Sequence, residues 1–359
     1  MGKFNVLGLM SGTALDGLDL AYCHFWRECK VWHFKMGQCE TISYEESLKI
    51  KLKDAIHLSK SAHARLHQDY GLWLGQQAQR FLEKHQLQPN FIASHGHTSH
   101  HRPEAGITFQ LGAGQNIANA SGYSVICDFR TLDVELGGQG APLVPIGDHM
   151  LFSAYPFCLN LGGISNISFQ KGAHRIAYDV GMANMPLNYI TEKLGLAYDA
   201  GGKLAQSGKM IPKLLHQLNA LAYYQLPYPK STGYEWFSAV VKPLIDRTHA
   251  STEDLLHTII HHNCEQIARA IKKENNGDGS QLYVTGGGAF NDFFIHTLQE
   301  KLPANCTLVI PSKKLIAYKE AMVFAFMGVL KYLGEVNILA TVTGAKSDSS
   351  SGMLFQPIQ

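Results

Sequence analysis

The segment from Leu7 to Asp19 combines glycines, hydroxyls and carboxylates in a pattern suited to handling phosphate groups. Its three glycines permit positive φ angles and close approach of a ligand to the backbone, while the hydroxyls of Ser11 and Thr13 can donate hydrogen bonds to phosphate oxygens. The carboxylates of Asp16 and Asp19 would repel a bare phosphate, so they fit beside a magnesium ion or a proton in transfer. An ordinary glycine-rich hairpin with solvated carboxylates explains the same composition equally well.

Histidines follow the apolar run Phe91-Ile92-Ala93, at the kind of strand end that usually faces a ligand in an α/β fold. His95 and His97 would point to the same side of an extended chain, and His100 and His101 follow closely, so a zinc site is one interpretation. No nearby cysteine or carboxylate completes a ligand set. Histidines that shape a sugar pocket or hydrogen-bond to backbone carbonyls are the commoner alternative.

Arg130 follows the apolar run Val125-Ile126-Cys127 in the same way. The planar fork of an arginine matches a carboxylate or a phosphate with two parallel hydrogen bonds, so Arg130 is a candidate for binding an anionic group. A structural salt bridge to Asp128 or Asp133 is the alternative.

Three further groups in the second half of the chain have residue types that suit ligand binding. Asp179 follows a strand-like run and precedes a turn and a helix predicted from about Met185, so it is expected beside a bound phosphate or as a helix N-cap. The glycines from Gly286 to Gly288, with Ala289, would let a flat group lie against bare backbone. Glu320 is predicted to open an apolar helix, as a first-turn carboxylate or a substrate ligand.

The elements that must position these residues are predicted from apolar periodicity. Val6–Leu9 and Leu18–Phe25 are expected to be strands joined by the polar loop, and the segment 62–86 is expected to be a helix. Its predicted buried face consists of Leu66, Tyr70, Trp73, Leu74, Ala78, Phe81 and Leu82. The run Phe157 to Leu161, the pair Gly162-Gly163 and a second apolar run repeat the strand, glycine turn and strand plan, which indicates an internal duplication.

The composition favours a soluble protein of two domains. The chain has 359 residues, 45% of them hydrophobic, and a formal net charge of +2, so nothing points to a nucleic-acid partner. We expect no membrane partner, because no apolar run approaches the roughly 18 residues needed to cross a bilayer. The seven cysteines are scattered, and the N-terminus lacks the features of an export signal, so a cytoplasmic location is expected.

Glycine motifs at strand ends in two similar halves are typical of the superfamily of acetate and sugar kinases, heat-shock proteins and actin. Within it, several phrases resemble those of the anhydro-N-acetylmuramic acid kinase family. They are Gly8-Leu9-Met10-Ser11-Gly12-Thr13, Asp16-Gly17-Leu18-Asp19, Asp128-Phe129-Arg130, Gly137-Gly138-Gln139-Gly140-Ala141-Pro142-Leu143-Val144-Pro145, Asn160-Leu161-Gly162-Gly163-Ile164-Ser165-Asn166, Lys230-Ser231-Thr232-Gly233 and Val342-Thr343-Gly344-Ala345. The resemblance runs from residue 7 to about residue 345.

The resemblance implies an α/β fold of two duplicated ribonuclease H-like, actin-like ATPase domains with a nucleotide cleft between them. The expected domains are residues 1–130 with 336–359, and residues 131–335. It also implies an ATP-dependent and Mg²⁺-dependent enzyme of peptidoglycan recycling. Such an enzyme opens 1,6-anhydro-N-acetylmuramic acid with water and phosphorylates O6, and it is a candidate homodimer.

The resemblance also assigns roles to residues. Asp179 matches the catalytic aspartate and is expected to be the general base. The nucleotide is expected to contact Gly12, Thr13, Ala14, Leu15, Asp16, Gly17, Leu18, Asp19, Gly162, Gly163, Gly286, Gly287, Gly288 and Ala289. The sugar is expected to contact His97, Arg130 and Glu320, with Arg130 at the lactyl carboxylate and Glu320 at a hydroxyl or the acetamido N–H. No residue is assigned as a dedicated metal ligand, because Mg²⁺ would bridge phosphate oxygens.

The chain departs from the family pattern in two places. Val180, Met182 and Ala183 replace residues of the usual Thr-Gly-Pro-Gly-Asn phrase, and Ala14 stands where a serine is usual. These changes remove possible phosphate contacts and restrict positive φ at residue 183. They motivate an alternative function, an ATP-binding regulatory protein of the same fold that lacks catalysis. A zinc hydrolase built on the four histidines is a third hypothesis.

Overall fold

The computed structural model describes residues 2–12, 15–172, 174–275 and 279–358. Thr13 and Ala14, two members of the predicted nucleotide loop, lie outside the described residues. The chain forms two compact units, the first comprising Met1–Phe152 with Tyr318–Gln359 and the second Ser153–Ala317. These bounds differ from the predicted ones, because residues 131–152 and 318–335 group with the first unit.

Groups of consecutive strands and groups of consecutive helices follow one another along the chain. The strands are β1 (Phe4–Ser11), β2 (Leu18–Glu28), β3 (Val31–Ile42), β4 (Phe91–Ser94), β5 (His97–Arg102), β6 (Ile107–Leu111), β7 (Val125–Cys127), β8 (Phe157–Leu161), β9 (Ile164–Lys171), β10 (His174–Met182), β11 (Ser280–Thr285), β12 (Cys306–Val309) and β13 (Met353–Phe355). The α-helices are α1 (Glu46–Lys53), α2 (Lys60–His85), α3 (Gly114–Ser121), α4 (Thr131–Glu135), α5 (Pro145–Met150), α6 (Asn184–Glu192), α7 (Lys203–Ser207), α8 (Pro212–Asn219), α9 (Tyr234–Trp236), α10 (Lys242–Asp246), α11 (Thr252–Glu274), α12 (Asp292–Lys301), α13 (Lys313–Tyr332) and α14 (Ala340–Thr343).

The sheet of the first unit has the strand order β13-β7-β4-β1-β2-β3. Strands β1, β2 and β3 form an antiparallel meander, while β4 lies parallel to β1 and β7 lies parallel to β4. The sheet of the second unit has the order β10-β9-β8-β11-β12, again an antiparallel meander of three strands followed by two parallel strands. Five strands have the same order and directions in both units, and the first sheet adds β13 antiparallel to β7. This agreement confirms the predicted duplication and the ribonuclease H-like α/β fold class.

Helix α2 covers one face of the first sheet, as the apolar spacing predicts. Ser59 caps its first turn by accepting a hydrogen bond from the amide of Ala62 at 3.3 Å. The predicted buried face is correct except for Trp73, which is half-buried. Gly71 and Gly75 are also buried, and a Cβ on either would lie 2.6–2.7 Å from backbone atoms of the segment 113–117, so the small residues permit close packing there.

Helix α11 is the longest described helix of the second unit. Like α2, it begins after a serine cap and has one buried apolar face. Ser251 caps it by accepting a hydrogen bond from the amide of Asp254 at 3.1 Å. Its buried apolar face includes Leu256, Ile260 and Ile267, which belong to the same core as the strands of the second sheet. No helix within the described residues is long and apolar enough to cross a membrane.

Helix α13 begins earlier than the sequence predicts. It spans Lys313–Tyr332 and is interrupted at Tyr318, where φ is −114° and ψ is 15°, as the chain returns to the first unit. Glu320 therefore does not open a helix but follows this interruption by two residues. The apolar segment after it packs closely on β1, since a Cβ on Gly8 would lie 2.0 Å from the carbonyl oxygen of Ala321.

This close approach predicts a large effect of Gly8→Ala. The added methyl group would force the backbone of α13 away from the sheet, and overpacking of this kind costs about 3 kcal/mol of unfolding free energy. Denaturant unfolding followed by circular dichroism measures the change. Gly279→Ala is the matched control, because its Cβ meets only the carbonyl oxygen of Asn305 at 3.9 Å. Equal stability of the two variants would contradict the packing described.

Candidate functional site

The polar loop of the first unit is a β-hairpin connection. Ser11 pairs with Leu18 across the hairpin, and the amide of Leu15 donates a hydrogen bond to the carbonyl oxygen of Gly12 at 3.3 Å. Gly17 has a φ of 156°, and a Cβ there would lie 2.8 Å from the carbonyl oxygen of Ile42, so this position requires glycine. The predicted hairpin is confirmed, and both interpretations of the loop share this geometry.

Asp19 lies near the start of β2 beside the loop. Its Oδ1 accepts a 2.6 Å hydrogen bond from the Thr41 hydroxyl. Burial raises the pKa of Asp19, the Thr41 hydrogen bond lowers it, and the negative charge of Asp16 raises it further. A cation beside these two carboxylates would relieve both the burial and the repulsion.

Arg130 is held by polar groups other than the predicted carboxylates. Its Nε donates a 3.0 Å hydrogen bond to Nε2 of His95, and Nη1 donates to the carbonyl oxygen of Gly140. No carboxylate of the described residues lies within ion-pair distance of the guanidinium, so the salt bridge to Asp128 or Asp133 is wrong. Burial lowers the pKa of Arg130 to about 10, which leaves it charged at neutral pH.

His95 is the residue that orients Arg130. Its Nδ1 lies 2.9 Å from the carbonyl oxygen of Gly96, which requires the proton on Nδ1 and leaves Nε2 as the acceptor for Arg130. Burial and the neighbouring Arg130 hold the pKa of His95 well below its usual value, so the ring is neutral.

Glu320 belongs to the same group of charges. Its side chain keeps solvent contact, yet the protein around it desolvates the carboxyl and raises its pKa. The charges of Arg130 and Lys319 lower this pKa, and those of Asp19 and Asp16 raise it. The first unit therefore brings together one guanidinium and three carboxylates that the sequence had placed in separate segments.

His97 ends a chain of buried hydroxyl groups. The hydroxyls of Tyr70 and Tyr44 lie 2.9 Å apart, Tyr44 donates to Ser11 Oγ at 2.7 Å, and Ser11 Oγ lies 3.0 Å from Nδ1 of His97. Each of these side chains has a hydrogen-bond partner when the Ser11 hydroxyl donates to Nδ1 of His97. The proton of the neutral His97 ring then lies on Nε2. Burial lowers the pKa of His97 to about 4.

The histidines do not form a zinc centre in the described residues. Gly96 has a φ of 73°, so His95 and His97 do not alternate as they would in an extended chain. Nδ1 of His100 lies near Ser99 Oγ, and Nδ1 of His101 near Thr108 Oγ1. Within the part of the chain that the structure describes, no group of three or more His, Cys, Asp or Glu side chains is arranged to hold a metal ion.

The glycine turn of the second unit joins β8 to β9 and carries the start of α6. The amide of Asn184 donates to the carbonyl oxygen of Gly162 at 3.0 Å, and the amides of Ala183 and Met185 donate to that of Gly163 at 2.9 and 3.1 Å. These three amides are therefore already hydrogen-bonded within the chain, and a phosphate beside Asp179 stays a prediction. A Cβ on either glycine would meet only ordinary contacts of 3.5 Å or more.

The glycines after β11 lie against the same turn. Gly286 has a φ of 85°, and a Cβ there would lie 2.7 Å from the side-chain oxygen of Asn160. A Cβ on Gly288 would lie 2.7 Å from Leu161, whereas Gly287 is exposed and its Cβ would meet nothing closer than 4.0 Å. Glycine at positions 286 and 288 therefore permits close packing against Asn160 and Leu161, whereas the backbone of Gly287 is exposed and has open space beside it.

Asp179 lies within β10 rather than after it, at a bulge between Asp179 and Gly181. It does not cap α6, whose N-cap is Ala183. The carboxylate is held on both oxygens, because Nδ2 of Asn166 donates to Oδ1 and the amide of Thr232 donates to Oδ2 at 2.9 Å. Burial raises the pKa of Asp179, and these hydrogen bonds partly oppose the rise.

The motif Lys230-Ser231-Thr232-Gly233 supplies this support, which sequence reasoning did not assign. Besides its amide, Thr232 has a buried Oγ1 that has no hydrogen-bond partner among the described residues. Asn166 was visible in the sequence as the last residue of the motif beginning at Asn160, and its Oδ1 accepts a 3.4 Å hydrogen bond from Nδ2 of Asn160. The two asparagines of this motif, Asn160 and Asn166, were the sequence signal that could have identified Asn166 as a functional residue.

The unusual residues after Asp179 are part of the core. Val180, Met182 and Ala183 are all buried, with at most 3% of their surface exposed. Ala183 has a φ of −133°, so the expected restriction of positive φ has no consequence there. These substitutions change packing and leave the hydrogen bonds of the Asp179 carboxylate intact.

The low pKa of His97 predicts acid sensitivity. In the unfolded chain a histidine takes up its proton near pH 6.5, but folded His97 does so only near pH 4. The unfolded state therefore binds more protons between these values, and stability falls as the pH falls. We expect the loss of unfolding free energy between pH 7.5 and pH 5 to be about 2 kcal/mol smaller in His97→Asn than in the unsubstituted protein.

Denaturant unfolding at the two pH values measures this difference. His249→Asn is the matched control, because it removes an exposed imidazole that has no ion-pair partner among the described residues. Parallel pH profiles of the His97 variant and the unsubstituted protein would overturn the assignment of a neutral, buried His97.

Comparisons with known proteins agree with this arrangement of motifs. Residues 4–357 match the family model described as anhydro-N-acetylmuramic acid kinase. A relative of that name from Actinobacillus pleuropneumoniae serotype 3 (strain JL03) is 33% identical, over 99% of this chain and 100% of the relative. Another from Nitrosomonas europaea is 32% identical, over 97% of this chain and 99% of the relative.

Solved structures are more distant. Component A of the (R)-2-hydroxyglutaryl-CoA dehydratase of Acidaminococcus fermentans is 13% identical, covers 90% of this chain and 96% of its own, and has a TM-score of 0.45, which is too low to bear on function. The family match and the full-length relatives carry the assignment. By both, this chain belongs to the anhydro-N-acetylmuramic acid kinase family.

Proposed function

We propose that this protein is a kinase that opens 1,6-anhydro-N-acetylmuramic acid with water and phosphorylates it with ATP. Water attacks C1, the C1–O6 bond breaks, and O6 takes the γ-phosphoryl group, so the products are N-acetylmuramic acid 6-phosphate and ADP. The observation that carries the proposal is the Asp179 carboxylate, which is fixed on both oxygens by Asn166 and Thr232 in a chain of this family. The reaction belongs to peptidoglycan recycling.

Asp179 is the general base in this proposal. Attack at C1 requires that the water lose a proton as the new C–O bond forms, and the carboxylate accepts it. Burial raises the pKa of Asp179 towards the working pH, which makes the carboxylate a stronger base than a solvated aspartate. The fixed orientation of both oxygens means that little reorganisation is needed before the proton moves.

The hairpin loop of the first unit, Gly12 to Asp19, is proposed to bind the β- and γ-phosphates of ATP. Thr13, Ala14, Leu15, Asp16, Gly17 and Leu18 complete this loop. The oxygen donors Asp16 and Asp19, with the raised pKa of Asp19, fit Mg²⁺, which usually binds proteins through one or two carboxylates and substrate phosphates. When bound, Mg²⁺ neutralises charge on the phosphate oxygens.

The second unit is proposed to bind the remainder of the nucleotide. Gly287 has an open backbone face against which a flat base or ribose can lie, with Gly286, Gly288 and Ala289 shaping the turn around it. Gly162 and Gly163 are not required by packing, since a Cβ on either meets only ordinary contacts. Close approach of a ligand to their backbone is the remaining reason for glycine at both positions.

Three residues of the first unit are proposed to bind the sugar. Arg130 stays charged and its orientation is set by His95 and Gly140, which leaves Nη2 for the lactyl carboxylate. Glu320 accepts from a sugar hydroxyl or the acetamido N–H. His97 donates from Nε2, because Ser11 occupies its Nδ1.

Val180, Met182 and Ala183 no longer support the alternative of a regulatory protein without catalysis, because they are core residues. We further propose a cytoplasmic location, where ATP is available. A homodimer is the oligomeric state that the family resemblance implies, and light scattering of the purified protein tests it.

Replacing the proposed base should abolish turnover while leaving substrate binding intact. We expect Asp179→Asn to lower kcat by 10²–10⁴-fold, because the amide cannot accept the proton from water. Coupled measurement of ADP release with 1,6-anhydro-N-acetylmuramic acid gives the rate. Asp292→Asn, an exposed carboxylate at the start of α12, is the matched control and should keep full activity. A rate within twofold of the unsubstituted enzyme in Asp179→Asn would rule out the proposed base.

Arg130→Lys tests carboxylate recognition. A lysine keeps the charge but lacks the guanidinium that His95 and Gly140 orient, and with it the Nη2 donor. KM for the anhydro sugar should therefore rise by about 10–100-fold, with a smaller change in kcat. The comparison substrate is 1,6-anhydro-N-acetylglucosamine, which lacks the lactyl group. If Arg130 binds that carboxylate, the variant and the unsubstituted enzyme should use the comparison substrate about equally well. An equal loss with both substrates would refute this role.

A further inference from the structure

A polar cavity lies in the second unit, next to strand β10, which carries Asp179. It has a volume of about 170 Å³, roughly that of five or six water molecules. Tyr178 and Val180 line it from β10. Asp179 itself is not a lining residue, and neither is any other residue proposed to bind ATP or the sugar.

Three cationic side chains line this cavity, and no carboxylate of the described residues does. They are Lys230, Arg269 and Lys273. Among the described residues, no carboxylate lies within ion-pair distance of Lys230 or Lys273, and Arg269 reaches Glu265 only at 4.0 Å. The nearby Glu274 is already engaged by Lys171 Nζ at 3.1 Å and the Tyr228 hydroxyl at 3.3 Å. Within the part of the chain that the structure describes, the lining of the cavity therefore carries a net positive charge.

The surroundings of Lys230 in this cavity disfavour its protonated form. Its Nζ donates to the carbonyl oxygen of Tyr223 at 3.1 Å and lies 4.6 Å from the centre of the Tyr223 ring. Burial and the charge of Lys273 lower the pKa of Lys230. An anion bound between the two ammonium groups would remove this repulsion.

The lining also offers neutral hydrogen-bond donors. The hydroxyl of Tyr178 has no hydrogen-bond partner in the described chain, and burial raises its pKa to about 12, so it keeps its proton. The amide of Gln225 also lies at the wall, whereas Nε2 of Gln266 already donates to Oδ1 of Asn219 at 2.7 Å. Several cations with fixed neutral donors suit a doubly charged, multidentate oxyanion better than a single carboxylate.

We propose that this cavity is a binding site for the phosphate group of a small phosphate monoester. The site is coupled to Asp179 through the loop that separates them. The amide of Asp179 donates to the carbonyl oxygen of Lys230 at 3.1 Å, and the amide of Thr232 donates to the Asp179 carboxylate at 2.9 Å. An anion that draws the side chain of Lys230 into the cavity acts on the backbone that holds the catalytic carboxylate.

Titration calorimetry with inorganic phosphate and glucose 6-phosphate tests the site, with neutral glucose and acetate as comparison ligands. We expect the monoester to bind with a Kd below about 1 mM, and the double variant Arg269→Gln, Lys273→Gln to raise that Kd at least tenfold. Both substituted side chains are exposed on α11, so folding should be retained. Lys272→Gln removes the same charge from the adjacent residue outside this cavity and should change Kd less than about twofold.

Hydrogen exchange localises the binding. Glucose 6-phosphate should slow exchange in peptides covering residues 178–182 and 229–233 of the unsubstituted protein, but not of the double variant. Tighter binding of inorganic phosphate than of the monoester would limit the site to free phosphate and overturn the monoester assignment. Equal Kd values in the double variant and the unsubstituted protein, protection confined to other segments, or no detectable binding would overturn the site itself. These outcomes do not depend on whether the protein phosphorylates the anhydro sugar.

Discussion

In each unit, the first strand of the sheet lies between an antiparallel hairpin partner and a parallel strand, and the placement of the functional loops depends on this pairing. β1 pairs with β2 on one side and β4 on the other, as β8 does with β9 and β11. The hairpin turn and the carboxyl end of the parallel strand must then lie at the same edge of the sheet. Loops at that edge are where α/β folds bind ligands.

Polar groups at the edge of the first sheet are supported by a buried carboxylate that itself touches no solvent. Asp133 is fully buried, and its two oxygens accept hydrogen bonds of 2.7 Å from the Gly140 amide and the Thr343 hydroxyl. The carbonyl oxygen of the same Gly140 accepts from Arg130. Two motifs that are 200 residues apart in the chain thereby set the direction of one guanidinium, because a buried carboxylate without these donors would be strongly unfavourable.

The residues that depart from the family pattern show that comparing a motif position by position does not reveal what each side chain contacts in the fold. From the sequence, Val180 and Ala183 suggested lost phosphate contacts. In the fold, both side chains are in the core, and the amides at the start of α6 are bonded to the carbonyls of Gly162 and Gly163. The function of the turn is to join two backbone segments, which any residue with a compatible φ can do.

The sequence by itself determined the strands of the opening hairpin, helix α2 and the duplication, because these follow from apolar periodicity and from glycines at turns, which are local properties. It also identified the motifs of the family. Only the tertiary structure decided the unit boundaries, the partner of Arg130, the position of Asp179 inside a strand and the support from Thr232. Each of these depends on contacts between residues far apart in the chain, whose distances no local pattern contains.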